Sequence, residues 1–388
     1  MQTPFSRRRT LRWFGAAGFG AALLPSHLVL AAAPATEDPF GNRLVVVLLR
    51  GALDGLAAIP AHGDASWASL RGDADAATGK ANALRLDGTF GMHPSLVNLH
   101  RWYGDKELLV VHATASPYRE RSHFDAQQQL ESGGERPFVL STGWLGRALQ
   151  HSGKPAIALS AAMPLALRGG DGASTWTPDR RRGLDLDFMA RVAQMYRDDV
   201  PLASALGQAM DQQGMAMGAE GGPGFASMAR QAGKFLADPK GPRVAWLETG
   251  GWDTHTNQVS RLARLLTALD EGLASLRESL GIHWAQTTVL VMTEFGRSAA
   301  YNGSGGTDHG TGGVAFVTGG AVAGGTVLTD WPGLAKRHLL DGRDLSPTRD
   351  LRDIIAPVVQ RQFGLSTALL QASILPGVAK PNLNFWRT

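Results

Sequence analysis

The chain has 388 residues, of which 44% are hydrophobic and 19% charged, with a formal net charge of +4. It is long enough to bury one large core, and its 48 glycines follow no period, which excludes collagen-like and low-complexity classes. The sequence contains no cysteine, so disulfides and thiolate metal ligands are excluded as well.

Residues 1–35 have the pattern of a twin-arginine export signal. An arginine-rich start is followed by the weakly apolar run Trp13–Leu30 and by small residues. The pattern predicts cleavage near Ala33 or Ala35, export by the twin-arginine translocon, and a periplasmic or secreted location for residues 36–388, which we expect to form one domain. The alternative is an uncleaved membrane anchor. Glycines and a proline interrupt the apolar run, which favours a cleaved signal over a spanning helix. After cleavage no stable membrane span is expected.

The positive charge lies mostly in this leader. Residues 1–33 contain Arg7, Arg8, Arg9 and Arg12 and no acidic residue; removing these four from the 38 lysines and arginines leaves 34, against 34 acidic residues. The rest of the chain carries no basic stripe with interleaved aromatic residues. Nucleic acid is therefore not an expected partner.

The first predicted strand is the continuous apolar run Leu44–Leu49, which suits a central strand buried on both faces. Asp54 follows it in a glycine-containing turn. Such an aspartate either caps the next helix or serves a functional site at the strand end, and the pattern leaves both interpretations open.

The second predicted strand is Leu108–His112, and a helix is predicted from Ser122 to Leu130, ending at Gly133. Ser122 would lie at the helix N-terminus. It is either an ordinary N-cap or a nucleophile activated by a metal ion. His123 beside it is then a ligand, an acid or a neighbour of the site.

The middle of the chain carries little functional signal. Residues 134–180 are predicted to form peripheral strands and loops, and residues 187–236 to form helices broken near Gly218–Gly224. Residues 259–280 have leucines at helical spacing, which predicts an amphipathic helix packed on the sheet.

The third predicted strand, Arg243–Thr249, leads into Gly250 and Gly251 and then into Asp253 and His255. Residues two apart in extended chain point the same way, so this carboxylate and imidazole can face one point. They suit a zinc-like ion as ligands, whereas the alternative is an aspartate turn with a surface histidine.

A fourth strand is predicted to end at Glu294, after Val289–Met292. Asp308 and His309 come shortly before a further apolar run, Val314–Val317. His309 therefore reaches the same sheet edge as Glu294 only if that last strand is antiparallel or if the glycine-rich loop folds back.

These motifs, in this order, resemble the exported family of domain of unknown function 1501 and, more loosely, the alkaline phosphatase and sulfatase-like superfamily. The resemblance rests on the segments Arg50–Leu56, Arg121–Asp125, Gly250–His255, Thr293–Arg297 and Gly306–Gly310.

The resemblance implies a three-layer α/β/α sandwich with a largely parallel, mixed central sheet. It also implies hydrolysis of a small anionic phosphate or sulfate ester at one or two divalent ions, which could be Zn, Mn, Mg or Ca. Ser122 lies near the nucleophile position, and His123, Arg121 and Arg297 are the other expected catalytic residues, with structural ion pairs as the alternative for the two arginines. The expected metal ligands are Asp54, Asp253, His255, Glu294, Asp308 and His309. Asp54, Asp253, Glu294 and His309 are then expected to come within a few ångströms of a common point.

The sequence also departs from the superfamily. Glu294-Phe295-Gly296 stands where those enzymes carry Asp-His-Gly, and Asp253 and His255 are unusually close together. A non-catalytic binding or assembly protein that retains the fold is therefore the alternative function. A redox protein is disfavoured, because no flavin, haem or iron–sulfur motif is visible.

Overall fold

The computed structural model describes residues 41–72, 82–178, 224–379 and 383–387, with single positions 195, 196, 199 and 206. All of them belong to one compact unit, Glu37–Thr388. The predicted export signal and most of the helices predicted over residues 187–236 lie outside the described residues.

The described strands follow the apolar runs of the sequence. They are β1 (Arg43–Leu49), β2 (Leu84–Arg85), β3 (Gly91–Met92), β4 (Leu108–Ala115), β5 (Ala156–Ala158), β6 (Ala173–Thr175), β7 (Val244–Thr249), β8 (Thr287–Thr293), β9 (Gly313–Thr318), β10 (Thr326–Leu328) and β11 (Arg349–Asp350). The described helices are α1 (Gly55–Ala58), α2 (Trp67–Arg71), α3 (Val97–Gly104), α4 (His123–Ser132), α5 (Trp144–Gln150), α6 (Phe225–Ala237), α7 (Gln258–Leu280), α8 (Arg352–Phe363) and α9 (Thr367–Leu369).

The central sheet has the strand order β10-β4-β9-β8-β1-β7-β5-β6, with β11 also paired to β4. Every pairing in it is parallel except those of β9, which runs antiparallel to both β4 and β8. β2 and β3 form a separate two-stranded sheet. The predicted largely parallel, mixed sheet is confirmed.

Helices cover both faces of this sheet. Val45 and Val47 of β1 pack in one core with α3, α6 and α7, whereas Leu44 and Val46 pack in a second core with α5 and α8. Alternate residues of one strand therefore enter different cores, as a strand buried on both faces requires. The structure has the three layers that the sequence predicts.

The long helix α7 shows how the sequence specifies this packing. Its leucines recur at helical spacing, and Leu262, Leu266, Leu269 and Leu273 are all buried in the core that also contains Val45 and Val47 of β1. Burying each leucine stabilises the fold by about 1.5 to 3 kcal/mol. The amphipathic helix predicted over residues 259–280 is confirmed.

The prediction for residues 134–180 was incomplete, because α5 is a helix. Its apolar residues form two pairs one turn apart, Trp144 with Leu145 and Ala148 with Leu149, and all four are buried. A helix of only two turns gives too short a period to be distinguished from a strand by sequence. In the part of the chain that the structure describes, no helix combines the length and the apolarity needed to cross a membrane.

His112, on β4, ties stability to pH. Its Nε2 lies 3.0 Å from the carbonyl oxygen of Ile59, and its Nδ1 accepts a 2.8 Å hydrogen bond from the amide of Ala113. A carbonyl only accepts, so Nε2 carries the proton and the ring is neutral. Burial lowers the pKa of His112 to about 4.

We expect this histidine to make the protein less stable as the pH falls from about 6.5 to about 4. In that window the unfolded chain binds a proton that the folded chain resists, and a shift of this size corresponds to about 3 kcal/mol. Urea unfolding of wild type and His112→Gln at several pH values measures the difference in slope. The same substitution at exposed His151 is the control, and identical pH slopes for His112→Gln and wild type would contradict the prediction.

Candidate metal centre

Three imidazoles and one carboxylate meet at the carboxyl edge of the sheet. The Nε2 atom of His309 lies 3.0 Å from Nε2 of His123 and 3.0 Å from Nε2 of His255. The Oδ1 atom of Asp253 lies 2.9 Å from Nε2 of His255 and 3.2 Å from Nε2 of His309, and its Oδ2 lies 3.5 Å from Nε2 of His123. Among the described residues, His123, Asp253 and His309 form the group whose ligand atoms could hold a metal ion.

The sheet topology explains how distant residues reach this point. β1 is in parallel register with β7 and β8, with Leu49 opposite both Thr249 and Thr293, so the loops that follow these strands start at the same edge. β9 is antiparallel to β8, which places the segment before β9 at that edge too. His309 therefore joins the site from the beginning of a strand.

The loop between β8 and β9 folds back tightly to deliver His309. Arg297 and His309 pair as an antiparallel bridge. A Cβ atom at Gly296 would lie 1.9 Å from the carbonyl oxygen of Gly312, and one at Gly310 would lie 2.3 Å from the carbonyl carbon of Arg297. Glycine is required at both positions because the two backbones touch.

The partners of the three rings fix which nitrogen carries the proton. The Nδ1 atom of His123 lies 2.7 Å from Oε1 of Glu294, that of His255 lies 3.2 Å from Oδ1 of Asp308, and that of His309 lies 3.0 Å from the carbonyl oxygen of Arg121. Carbonyls and ionised carboxylates only accept, so each Nδ1 donates. In the neutral rings the Nε2 atoms are therefore free to bind a cation, and the Nε2 atoms of His123 and His255 both face that of His309.

The carboxylates around the rings are held ionised. Burial alone would raise the pKa of Glu294, but hydrogen bonds from His123, Gln127 and the Gly51 amide outweigh it and lower that pKa. Hydrogen bonds from Asn302 and then from His255 lower the pKa of Asp308.

Arg297 holds Asp253 in place. Its buried guanidinium donates to Oδ1 of Asp253 and to Thr307. Burial would raise the pKa of Asp253, but this arginine lowers it below its usual range. The carboxylate therefore faces the histidines as an anion.

This donor set fits a divalent ion. Tetrahedral ligands at the bond lengths usual for zinc lie about 3.3 Å from one another, close to the separations observed here. A lone pair on Nε2 of His309, 3.0 Å from the Nε2 atoms of both His123 and His255, would repel theirs without a cation between them. A hydrogen-bond acceptor behind each metal-facing histidine is also the usual arrangement around metal-ligating imidazoles.

A family model described as "Protein of unknown function (DUF1501)" matches residues 106–374, which is more than half of the chain and includes His123, Asp253, His255 and His309. The chain is a DUF1501 protein. A search of curated proteins found no match.

Solved structures similar to this DUF1501 protein include three of bacterial origin. One is the C-terminal periplasmic domain of EptC from Escherichia coli in complex with zinc, with 11% identity and a TM-score of 0.37 over 73% of this chain and 75% of that chain. Another is the lipoteichoic acid synthase LtaP from Listeria monocytogenes, with 9% identity and a TM-score of 0.38 over 85% and 74%. The third is a protein of the alkaline phosphatase superfamily from Vibrio parahaemolyticus, with 10% identity and a TM-score of 0.38 over 84% and 67%.

Within the DUF1501 protein, Asp54 lies apart from the histidines, although the family resemblance implied that it is a ligand. Arg71 binds both of its oxygens, at 2.8 and 3.0 Å, and Gln258 donates to Oδ2 at 2.6 Å. Its Oδ1 also accepts from the amide of Ala57, so Asp54 caps α1. The helix-cap interpretation describes this residue better, because both oxygens are already engaged.

Of the four residues expected to share one point, Asp253 and His309 meet there, whereas Glu294 and Asp54 do not. Glu294 does not face the proposed ion directly; it accepts a hydrogen bond from Nδ1 of His123, whose Nε2 does. Asp308 has the same relation to His255. The structure thus gives two predicted ligands the position of supports behind the rings.

Ser122 occupies the N-cap position of α4, but its side chain makes no capping hydrogen bond. It directly precedes His123, and its side chain interacts with the hydroxyl of Tyr118. The hydroxyl therefore does not cap the helix.

Arg121 contributes to the site through its backbone. Its side chain is bound to Asp344, at 2.8 Å from Nε, and to Asp341, at 3.0 Å from Nη2. Its carbonyl group supports His309. Two further groups donate hydrogen bonds to Glu294 and were not predicted from the sequence: the side chain of Gln127 and the amide of Gly51. Gln127 lies one turn after His123 on a predicted helix, and this spacing was the only sequence signal for its role.

Proposed function

We propose that this protein is an exported metal-dependent hydrolase of phosphate or sulfate esters, with Ser122 as its nucleophile. The observation that carries the proposal is the convergence of three imidazole Nε2 atoms and Asp253 with an acceptor behind every ring. The resemblance of the motifs to the alkaline phosphatase and sulfatase-like superfamily supports the reaction class, and the arginine-rich leader supports export.

His123, His255, His309 and Asp253 would hold the ion. The imidazole-rich set favours zinc or a similar transition ion over magnesium and calcium, which prefer oxygen ligands. A divalent ion bound there would supply Lewis-acid stabilisation of the charge that develops on the ester.

The protein's own groups supply position and polarity. Glu294 and Asp308 orient His123 and His255, and Arg297 fixes Asp253. Ser122 directly precedes His123 at the N-terminus of the ten-residue helix α4, where the helix dipole favours negative charge. An anionic ester placed at that helix end would present its central atom to the Ser122 hydroxyl.

We expect Ser122→Ala to retain the metal and to lose ester hydrolysis by at least about a thousandfold, because a covalent pathway needs this hydroxyl. Metal content by elemental mass spectrometry and turnover of aryl phosphates and aryl sulfates, with zinc, manganese, magnesium or calcium added, measure both quantities. Ser116→Ala provides a matched control in the same loop. Unchanged turnover in Ser122→Ala would exclude this nucleophile.

The alternative is a binding or assembly protein that keeps the metal centre without turnover. One observation favours it: the side chains of Arg121 and Arg297, expected to bind the substrate anion, are bound to carboxylates of the protein itself. A metal-loaded wild type that turns over no ester in the panel would favour this alternative.

A further inference from the structure

Among the described residues, three arginines contact residues of the metal centre, and their guanidinium groups differ in exposure and in how many donors remain for a ligand. The side chain of Arg297 is 0% exposed and that of Arg121 is 26% exposed, and both are bound by carboxylates. The side chain of Arg343 is 42% exposed. Sequence reasoning did not single out Arg343.

Two contacts hold the guanidinium of Arg343 in place beside the backbone of His309. Its Nη2 donates to the carbonyl oxygen of His309 at 2.6 Å, and its Nη1 lies 3.5 Å from Oδ1 of Asp344. A guanidinium has five N–H donors, so these two contacts leave donors for a ligand. The guanidinium is thereby fixed in position and still open on one side.

Arg343 lines a cavity of about 260 Å³ whose walls include Asp308 but none of the four proposed metal ligands. Leu70, Leu339 and Tyr301 give the cavity apolar walls, while Asn302 and Asp308 give it polar ones. Asp308 also accepts from Nδ1 of His255, so this one residue joins the cavity to the metal centre. Asp308 accepts at its Oδ1 from Asn302 and His255, and the nearby charge of Arg343 also lowers its pKa.

We propose that this cavity binds the part of the substrate beyond the scissile ester, and that Arg343 selects substrates with a second anionic group there. The ligand class is a small ester whose alcohol portion has an apolar body, to lie against Leu339 and Tyr301, and a carboxylate or similar anion, to accept from Arg343. The inference rests on the proposed function for the position of the ester at the metal centre.

Equilibrium binding separates this inference from hydrolysis. Isothermal titration calorimetry of zinc-loaded protein compares 4-carboxyphenylphosphonate with phenylphosphonate, which differ by one carboxylate and cannot be hydrolysed at their P–C bond. We expect wild type to prefer the carboxylated ligand by about tenfold to a hundredfold, as a charge-assisted hydrogen bond allows. Arg343→Gln should bind both ligands equally, at unchanged zinc content. Arg230→Gln removes an exposed arginine of α6 and should keep the preference.

The outcomes are distinct. Equal affinities in wild type, no binding of either ligand, or a preference that survives in Arg343→Gln would each overturn the role of Arg343. Turnover of the aryl phosphates and aryl sulfates of the panel, measured separately on the same protein, reports on the hydrolase proposal alone. A preference without turnover of any ester in the panel would leave the cavity assigned and favour the binding-protein alternative over the hydrolase proposal.

Discussion

His309→Ala should weaken zinc binding by at least about a hundredfold. Nε2 of His309 is the central atom of the cluster, since it lies within 3.2 Å of His123, His255 and Asp253. Loss of groups behind metal ligands already costs tenfold to a hundredfold in affinity, so loss of a ligand costs more. Competition titration with a chromogenic zinc chelator gives the dissociation constant.

A graded variant makes this result specific to the site. Glu294→Gln keeps the shape of the side chain behind His123 but removes its charge, so we expect a smaller loss of zinc affinity, about tenfold. His151→Ala, at an exposed histidine after α5, should bind zinc as wild type does. If His309→Ala retained zinc at wild-type affinity while circular dichroism showed it to be folded, the assignment of the metal ligands would be wrong.

Much of the fold follows from local pattern. Apolar runs located β1, β4, β7 and β8, because strands buried on both faces need continuous apolar sequence. The direction of β9 did not follow, since an apolar run looks the same in either orientation. Pairing with β4 and β8 decides that direction.

The site residues were recognised more easily than their roles. Spacing alone brought Asp253 and His255 together, but which carboxylates touch the metal and which stand behind a ring depends on contacts across the fold. Glu294 contacts a histidine 171 residues away, and Asp308 contacts one 53 residues away. Arg343 went unnoticed because its role depends on the position of the His309 carbonyl group.

Asp54 shows the same limit most clearly. A carboxylate that follows a strand suits a metal ligand and a helix cap equally well by sequence. The deciding residue is Arg71, 17 positions later on a short helix, and no sequence pattern marks it as a partner. The two interpretations predict different consequences when this pair is broken.

Arg71→Met should destabilise the protein by about 3 to 5 kcal/mol, because it leaves the carboxylate of Asp54 buried without its counter-charge. Asp54 is 1% exposed and Arg71 2% exposed, so water cannot replace the lost partner. Burial would raise the pKa of Asp54, but Arg71 and Gln258 lower it; the stabilisation is therefore present above the pKa of an unfolded aspartate and is lost as the pH falls through the lower, folded value. Urea unfolding at pH 7 measures the change, with Arg230→Met as the control.

Asp54→Asn and the double variant complete the comparison. Asp54→Asn leaves Arg71 buried without a carboxylate and should also be destabilising, whereas Asp54→Asn combined with Arg71→Met removes both charges and should recover part of the loss. Both variants should bind zinc with wild-type affinity while folded, because Asp54 contacts Arg71, Gln258 and the amide of Ala57 rather than the histidines. Loss of zinc from folded Asp54→Asn, with stability unchanged, would instead restore Asp54 as a ligand, as the resemblance to metal-dependent phosphatases and sulfatases first implied.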